Sequence, residues 1–268
     1  MNMDEQTWNA LNSEISKRLT ERGMKYVTPL STSAPGDLKN GQIFGTGNYI
    51  QVDDGTYILT CAHVVTEASG KHLSHLPIFD DFYRMIKAPM LCGPWREDSS
   101  QDVALSNIPS ALIRAANRQP LCIRGSDRDV LKGDMVFHLG YPEQGSWMSS
   151  IAQSLLASSA PYLTVCSRDS AEGFKEPDAF FQIEYPMNIK VRAIDGKGKH
   201  LRNAPGQSGS IAIGVPQEVW LSGDIEQCMR ETFIAGLIVR YADGYITGIK
   251  HSVVMRLVDE MVTGLKTF

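Results

Sequence analysis

The chain has 268 residues, large for one compact domain and small for two independent ones, so a two-lobed unit sharing one interface fits it best. Its 26 Lys and Arg stand against 30 Asp and Glu, a formal charge of −4, which argues against nucleic acid or an anionic membrane as partner. At 43% apolar residues it can build a full core, and no stretch reads as the about 20 apolar residues of a membrane span. The first twenty residues carry charges throughout and lack the apolar centre of a secretory signal, so a soluble cytoplasmic protein is expected. Cys61, Cys92, Cys122, Cys166 and Cys228 are odd in number and widely spaced, with no CxxC pair, which predicts reduced thiols and no zinc knuckle.

Taken in chain order, Asp4 to Arg22 predicts an amphipathic helix, with Trp8, Leu11, Ile15 and Leu19 at helical spacing and Gly23 as the stop. Asn40-Gly41 signals a tight turn, and from there the texture changes to strands. GQIFGTGNYIQV, a turn at Asp53-Asp54-Gly55, and TYILTCAHVV predict a hairpin. Further apolar runs at Val103–Ile108, Met135–Leu139, Ile151–Leu156, Tyr162–Cys166, Phe180–Tyr185, Gly209–Gly214 and Phe233–Val239 predict short strands divided by Gly, Pro, Asp and Ser clusters. Ser99–Pro120 and Ser167–Pro177 read as the most loop-like regions, and Ser252–Leu265 returns to helical spacing.

Three short segments carry candidate chemistry: Thr60-Cys61-Ala62-His63-Val64-Val65, Asp102-Val103-Ala104-Leu105, and Pro205-Gly206-Gln207-Ser208-Gly209-Ser210. A serine hydroxyl is too weak an acid to attack a carbonyl unaided. A nearby imidazole can take its proton and return it to the leaving group, and a buried carboxylate can fix the imidazole tautomer. A glycine-flanked turn can aim backbone N–H groups at the developing oxyanion; Gly206 and Ser208 are the natural donors. The predicted catalytic set is therefore His63, Asp102 and Ser208, with no cofactor. Asp98 and Asp102 both lie near the acid position; Asp102 is preferred because Val-Ala-Leu follows it, as in the family these segments resemble, and Asp98 sits in the charged string Arg96-Glu97-Asp98, read as an exposed loop.

These residues resemble a known family. GTGNYIQVDDGTYILTCAHVV is similar to the first hairpin of trypsin-like peptidases, especially their bacterial HtrA-like branch. DVALSNI resembles the family's Asp-x-Ala-Leu segment, VFHLGYP the strand and turn that open its second barrel, and APGQSGSIAIG its Gly-x-Ser-Gly-Gly nucleophile segment. FIAGLIV and HSVVMRLVDEMV match its last strands and closing helix, so the likeness covers roughly Gly41 to Val262 in the family's order His, Asp, Ser. The resemblance implies an all-β fold of two antiparallel six-stranded β-barrels, chymotrypsin-like, with an N-terminal and a C-terminal helix. The expected division is residues 1–25 as the N-terminal helix, 26–130 as the first barrel, and 131–268 as the second barrel and C-terminal helix. It implies a serine endopeptidase acting on a protein or peptide substrate through an acyl-enzyme.

The chain departs from the pattern in places. Gln207 stands where secreted trypsins carry the aspartate that pairs with a new N-terminus, so zymogen activation of that kind is not expected. Ser210 replaces a glycine, and no PDZ-like segment follows. Restraint by a regulatory protein partner or by oligomerisation is the expectation; the alternative is a catalytically silent binding module on the same fold. By likeness to the family, the substrate pocket would use the run Lys197 to Arg202. Arg202, six residues before Ser208, would then favour acidic or polar side chains, and His200 would form a polar wall. Both are otherwise residues of a solvated basic loop. His72, His75 and Cys92 match no familiar zinc spacing.

Overall fold

In the computed structural model the residues described are 4–33, 42–68, 71–75, 90–124, 128–142, 147–149, 154–156, 159–186, 190–192, 198–200 and 206–266. The predicted hairpin forms from β-branched and aromatic residues on two arms, Gln42–Val52 and Gly55–Thr60. Val52 pairs with Gly55, leaving a two-residue turn in which Asp53 adopts φ 50, a left-handed conformation that Asp tolerates. Including these arms, the N-terminal half holds β1 (Val27–Ser33), β2 (Gln42–Val52), β3 (Gly55–Thr60), β4 (His72–His75), β5 (Met90–Leu91), β6 (Trp95–Asp98), β7 (Val103–Asn107) and β8 (Leu121–Cys122). They make one sheet in the order β5-β4-β1-β2-β3-β7-β6, with β8 added in parallel to β2.

A closed six-stranded barrel was expected here. The sheet instead has eight strands and stays open between β5 and β6 among the described residues. β5 is only two residues long, and a helix near the end of the chain contacts β6 and β7. That helix is α6 (His251–Lys266), the last of six α-helices among the described residues, the others being α1 (Glu5–Gly23), α2 (Ala62–Thr66), α3 (Ser110–Ala115), α4 (Gln217–Trp220) and α5 (Ile225–Arg230). Arg96 of β6 donates to the Gly264 carbonyl at 2.8 Å and so ties the edge strand to the end of α6.

The C-terminal half does close. Its strands are β9 (Met135–Gly140), β10 (Trp147–Ser149), β11 (Ser154–Leu156), β12 (Ala160–Arg168), β13 (Phe180–Glu184), β14 (Lys190–Arg192), β15 (Gly198–His200), β16 (Ile211–Val215), β17 (Phe233–Ala242) and β18 (Tyr245–Lys250). Six of them form a barrel in the order β12-β13-β18-β17-β16-β9, while β10–β11 and β14–β15 are separate hairpins. Strand alternation divides the core in two. Met135, Phe137 and Leu139 face the large core shared with the first sheet, and Val136 faces the smaller core formed with Phe181, Ile183, Ala212 and Ile238.

The N-terminal helix starts where predicted, with the Asp4 carboxylate accepting from the Thr7 amide at 2.9 Å. Its buried stripe, Leu11, Ile15 and Leu19, packs toward β9, β12 and α5, and Trp8 meets Trp220 edge-on at 5.1 Å. The predicted Asn40-Gly41 turn and the 151–153 part of the Ile151–Leu156 strand lie outside the described residues.

Two histidines within the strands set an acid limit on stability. His138 on β9 is wholly buried with neither ring nitrogen partnered among the described residues, and His75 on β4 is buried against the Tyr49 hydroxyl at 2.9 Å. Burial holds both well below the usual 6.5, at about 4. Between these values the unfolded chain binds more protons than the folded one, so stability falls as pH drops from 6.5 toward 4. Each histidine can remove about 3 kcal/mol over that window. Denaturant midpoints measured from pH 7 to pH 4 should decline, and His138→Phe should flatten the decline; a pH-independent midpoint would contradict this.

Candidate active site

β3 runs out at Thr60, and α2 begins two residues later at Ala62, which places His63 in the first turn of a short helix at the end of an interior strand. Asp102 arrives from the turn between β6 and β7. Asp98, read from sequence as part of an exposed loop, closes β6 and accepts from Ser100 N–H (2.9 Å), the Ser100 hydroxyl (2.6 Å) and Gln101 N–H (3.0 Å). This side-chain turn leads directly into Asp102, whose φ of 58 swings it out of the strand direction.

The Asp102 carboxylate grips His63 twice. Oδ1 accepts from the His63 backbone N–H at 2.8 Å, and Oδ2 lies 2.7 Å from Nδ1. A carboxylate only accepts, so the ring proton is assigned to Nδ1 and the Nε2 lone pair is left free to act as a base. Burial is the largest single influence on His63 and pulls its pKa down. The hydrogen bond and charge of Asp102, with the charge of Glu67, outweigh it, and the net shift is upward.

Ser208 sits on the turn that leads into β16. Gly206 and Gly209 on either side both take φ 90, a region closed to most side chains. Gly209 N–H donates to the Ile238 carbonyl at 2.7 Å, and Ser210 N–H donates back to the Gln207 carbonyl at 3.2 Å. Because the Gln207 carbonyl is turned inward, the trans peptide directs the Ser208 N–H the opposite way. Among the described residues, neither the Gly206 nor the Ser208 amide donates to an acceptor. These two amides are the ones expected to meet an oxyanion.

The sequence-predicted residues are thus brought together in part. His63 and Asp102 pair directly, whereas the Ser208 hydroxyl donates to the Val239 carbonyl at 3.3 Å and not to His63. The neighbouring Ile238 carbonyl accepts from Cys61 Sγ at 3.2 Å, so adjacent carbonyls of β17 touch both the His63 segment and Ser208. Arg202 lies outside the described residues. For His200 only the backbone is described, in β15 opposite Lys190.

Gln207 is buried, and its Nε2 donates to the Tyr185 hydroxyl at 3.0 Å. Tyr185 in turn stands edge-on to Tyr162 at 4.9 Å and to Tyr241 at 5.7 Å. The turn that carries Ser208 is therefore tied into the second barrel by a neutral amide. Sequence reasoning found none of these supports, nor the buried Asn48 on β2. The available signal was weak: Asn48 is a polar residue in mid-strand, directly before the apolar pair Tyr49-Ile50.

Cys61, His63 and Asp102 form the described group with ligand atoms close enough to share a cation, all within 4.8 Å of one another. The donor set suits proton handling better. Burial, then the charge of Asp102, pushes the Cys61 thiol well above its ordinary range, and a metal ligand must be a thiolate. Both Asp102 oxygens are already engaged by His63. Neither a scan against protein-family models nor a comparison with curated proteins gave a match for this chain. No helix of the described residues is long and apolar enough to cross a membrane.

Proposed function

We propose that this chain is a serine endopeptidase of chymotrypsin-like architecture, with Ser208 as nucleophile, His63 as general base and Asp102 as the carboxylate that orients it. The observation that carries the reading is the doubly bonded His63–Asp102 pair at 2.8 and 2.7 Å, set beside a turn whose Ser208 amide is directed outward. One arrangement supplies the base, the other the nucleophile and the oxyanion donors.

In the proposed cycle the Ser208 hydroxyl leaves the Val239 carbonyl and turns to His63 Nε2. As Oγ attacks the scissile carbonyl carbon, its proton passes to Nε2, and the imidazolium is stabilised by Asp102. The carbonyl electron pair moves onto oxygen, where the Gly206 and Ser208 N–H groups receive it; each such donor is worth about 3 kcal/mol. Collapse breaks the C–N bond, with the Nε2 proton going to the leaving amine. Water then repeats the sequence on the ester and releases the acid.

The hydroxyl's bond to Val239 favours a second, restrained reading, in which a regulatory partner or oligomerisation must shift Ser208 toward His63. The silent binding module is the limit of that restraint. Labelling with a fluorophosphonate separates these readings. The wild type should label, and Ser208→Ala and His63→Ala should reduce labelling by at least about 10³-fold. Labelling that survives Ser208→Ala would remove Ser208 as nucleophile. A folded wild type that does not label would favour the restrained or silent form.

A further inference from the structure

The turn that carries Ser208 is held by side chains of the opposite sheet. β2 crosses beneath it and contributes Thr46 and Asn48, both wholly buried. The Thr46 hydroxyl donates to the Gly206 carbonyl at 2.7 Å and accepts from the Tyr141 N–H, at the end of β9, at 2.9 Å. Thr46 N–H donates to the Ser208 carbonyl at 3.0 Å. Asn48 Nδ2 donates to the Gly209 carbonyl and, at 3.3 Å, to the Leu59 carbonyl, while its Oδ1 accepts from the Ile211 N–H at 3.1 Å.

Each bond fixes a peptide plane. The 206–207 plane is fixed by the Thr46 hydroxyl and the 208–209 plane by Thr46 N–H together with the Ile238 carbonyl. The 209–210 plane is fixed by the Asn48 amide, and the 210–211 plane by Asn48 Oδ1 and Ile238 N–H. The remaining 207–208 plane, which carries the Ser208 N–H, closes on the turn itself through Ser210 N–H. Its direction therefore follows from its neighbours. A glycine-rich turn has many conformations open to it, so something other than its own sequence must select one. In this chain that is β2.

We propose that Thr46 and Asn48 are positioning residues that hold Ser208 and its outward amide in the reactive orientation, an inference that rests on the proposed hydrolase chemistry. Neither touches substrate; both act through the backbone of residues 206–211. The same two side chains make the site depend on contact between the first sheet and the second barrel, because Asn48 lies on one and Ile211 on the other. Any partner that separates the two units would disarm the turn without contacting Ser208.

The test splits fluorophosphonate labelling into binding (KI) and reaction (kinact), and follows amide hydrogen exchange at Ile211 in the same proteins. Thr46→Val keeps the shape and loses the hydroxyl; Thr46→Ser keeps the hydroxyl; Asn48→Ala removes the amide. Misplacing a reacting group by about 1 Å costs on the order of 10²-fold, so kinact should fall about 100-fold in Thr46→Val and Asn48→Ala with KI within about twofold. Thr46→Ser should stay close to wild type. Ile211 N–H should exchange faster in Asn48→Ala. Wild-type kinact in both disruptive variants, or Thr46→Ser as slow as Thr46→Val, would overturn the proposal. Should Asn48→Ala fail to fold, the Thr46 pair decides the matter alone. A wild type that never labels would favour the restrained or silent form of the proposed function instead, and Ile211 exchange would still report whether β2 holds the turn: unchanged exchange in Asn48→Ala overturns the hold, and faster exchange upholds it.

Discussion

Replacing Gly209 by alanine is expected to abolish labelling of Ser208 and to destabilise the protein by about 3 kcal/mol or more. At φ 90 the backbone is already unfavourable for any residue with a Cβ. The added methyl would also fall well inside contact distance of the Thr46 carbonyl oxygen and the Thr60 hydroxyl. Neither atom can yield cheaply. The Thr60 hydroxyl donates to that same carbonyl at 2.8 Å, and Thr46 is paired in mid-strand with Pro29 of β1. The turn must therefore move away from β2, which breaks the bonds to Ser208 and Gly209 at once. Gly244→Ala supplies the control. Its φ of 81 carries the backbone cost, but no atom lies within 4 Å of the added methyl, so a loss of about 1 kcal/mol and unaltered labelling are expected. Denaturant midpoints and labelling rates on the two variants check both numbers. Equal behaviour of the two would show that close packing against β2 does not govern the site.

The contrast also shows what the sequence could carry. The β2–β3 hairpin, five of the six barrel strands of the C-terminal half and the helices at either end follow from local texture, whereas β18 was not among the expected strands. β1 does not read as a strand, because Pro29 lacks an N–H for the ladder, yet β1 pairs on both sides and is buried along its whole length. A register shift between Leu30 and Ser31, next to the proline, is where the ladder absorbs the irregularity. β4, β5 and β6 are short and polar or mixed, so tertiary pairing and not periodicity defines them. That is also why closure of the first sheet was not a property of the sequence pattern: it turns on whether two short terminal strands, β5 and β6, find each other, and no local periodicity decides that.

At the site, the residue types and their order singled out His63, Asp102 and Ser208, and two of the three are in direct contact. What could not be read is the support. Asn48 and Thr46 lie about 160 residues before the turn they hold, and Gln207 reaches Tyr185 across the barrel. Such pairs leave no local signature; only the burial of a mid-strand amide, which the structure reveals, says that a partner must exist.

Asp102→Asn is expected to lower the rate of Ser208 modification by about 10⁴-fold while leaving the fold nearly intact. The backbone tolerates the change. Asn is at home at φ 58, where alanine would be strained, so Asp102→Asn and not Asp102→Ala isolates the charge. Chemically the two residues differ sharply. The carboxylate accepts from Nδ1 and leaves Nε2 as the base, whereas an asparagine amide can donate toward Nδ1 and favour the other tautomer, with its proton on Nε2, where the Ser208 proton must go. The pH dependence supplies an independent reading. In the wild type His63 must be neutral to accept a proton, so the rate should rise with pH and reach half its maximum above 6.5, the direction in which Asp102 and Glu67 move it. Removing the Asp102 charge leaves burial as the dominant influence, so the midpoint should move downward even as the plateau collapses. Labelling rates for both proteins between pH 5 and pH 9 test the two effects together. A variant with lower plateau but unmoved midpoint would mean that Asp102 orients the ring without setting its basicity. A variant with wild-type rate would exclude Asp102 from the chemistry and leave the His63–Asp102 contact as a structural bond that fixes α2 to the β6–β7 turn.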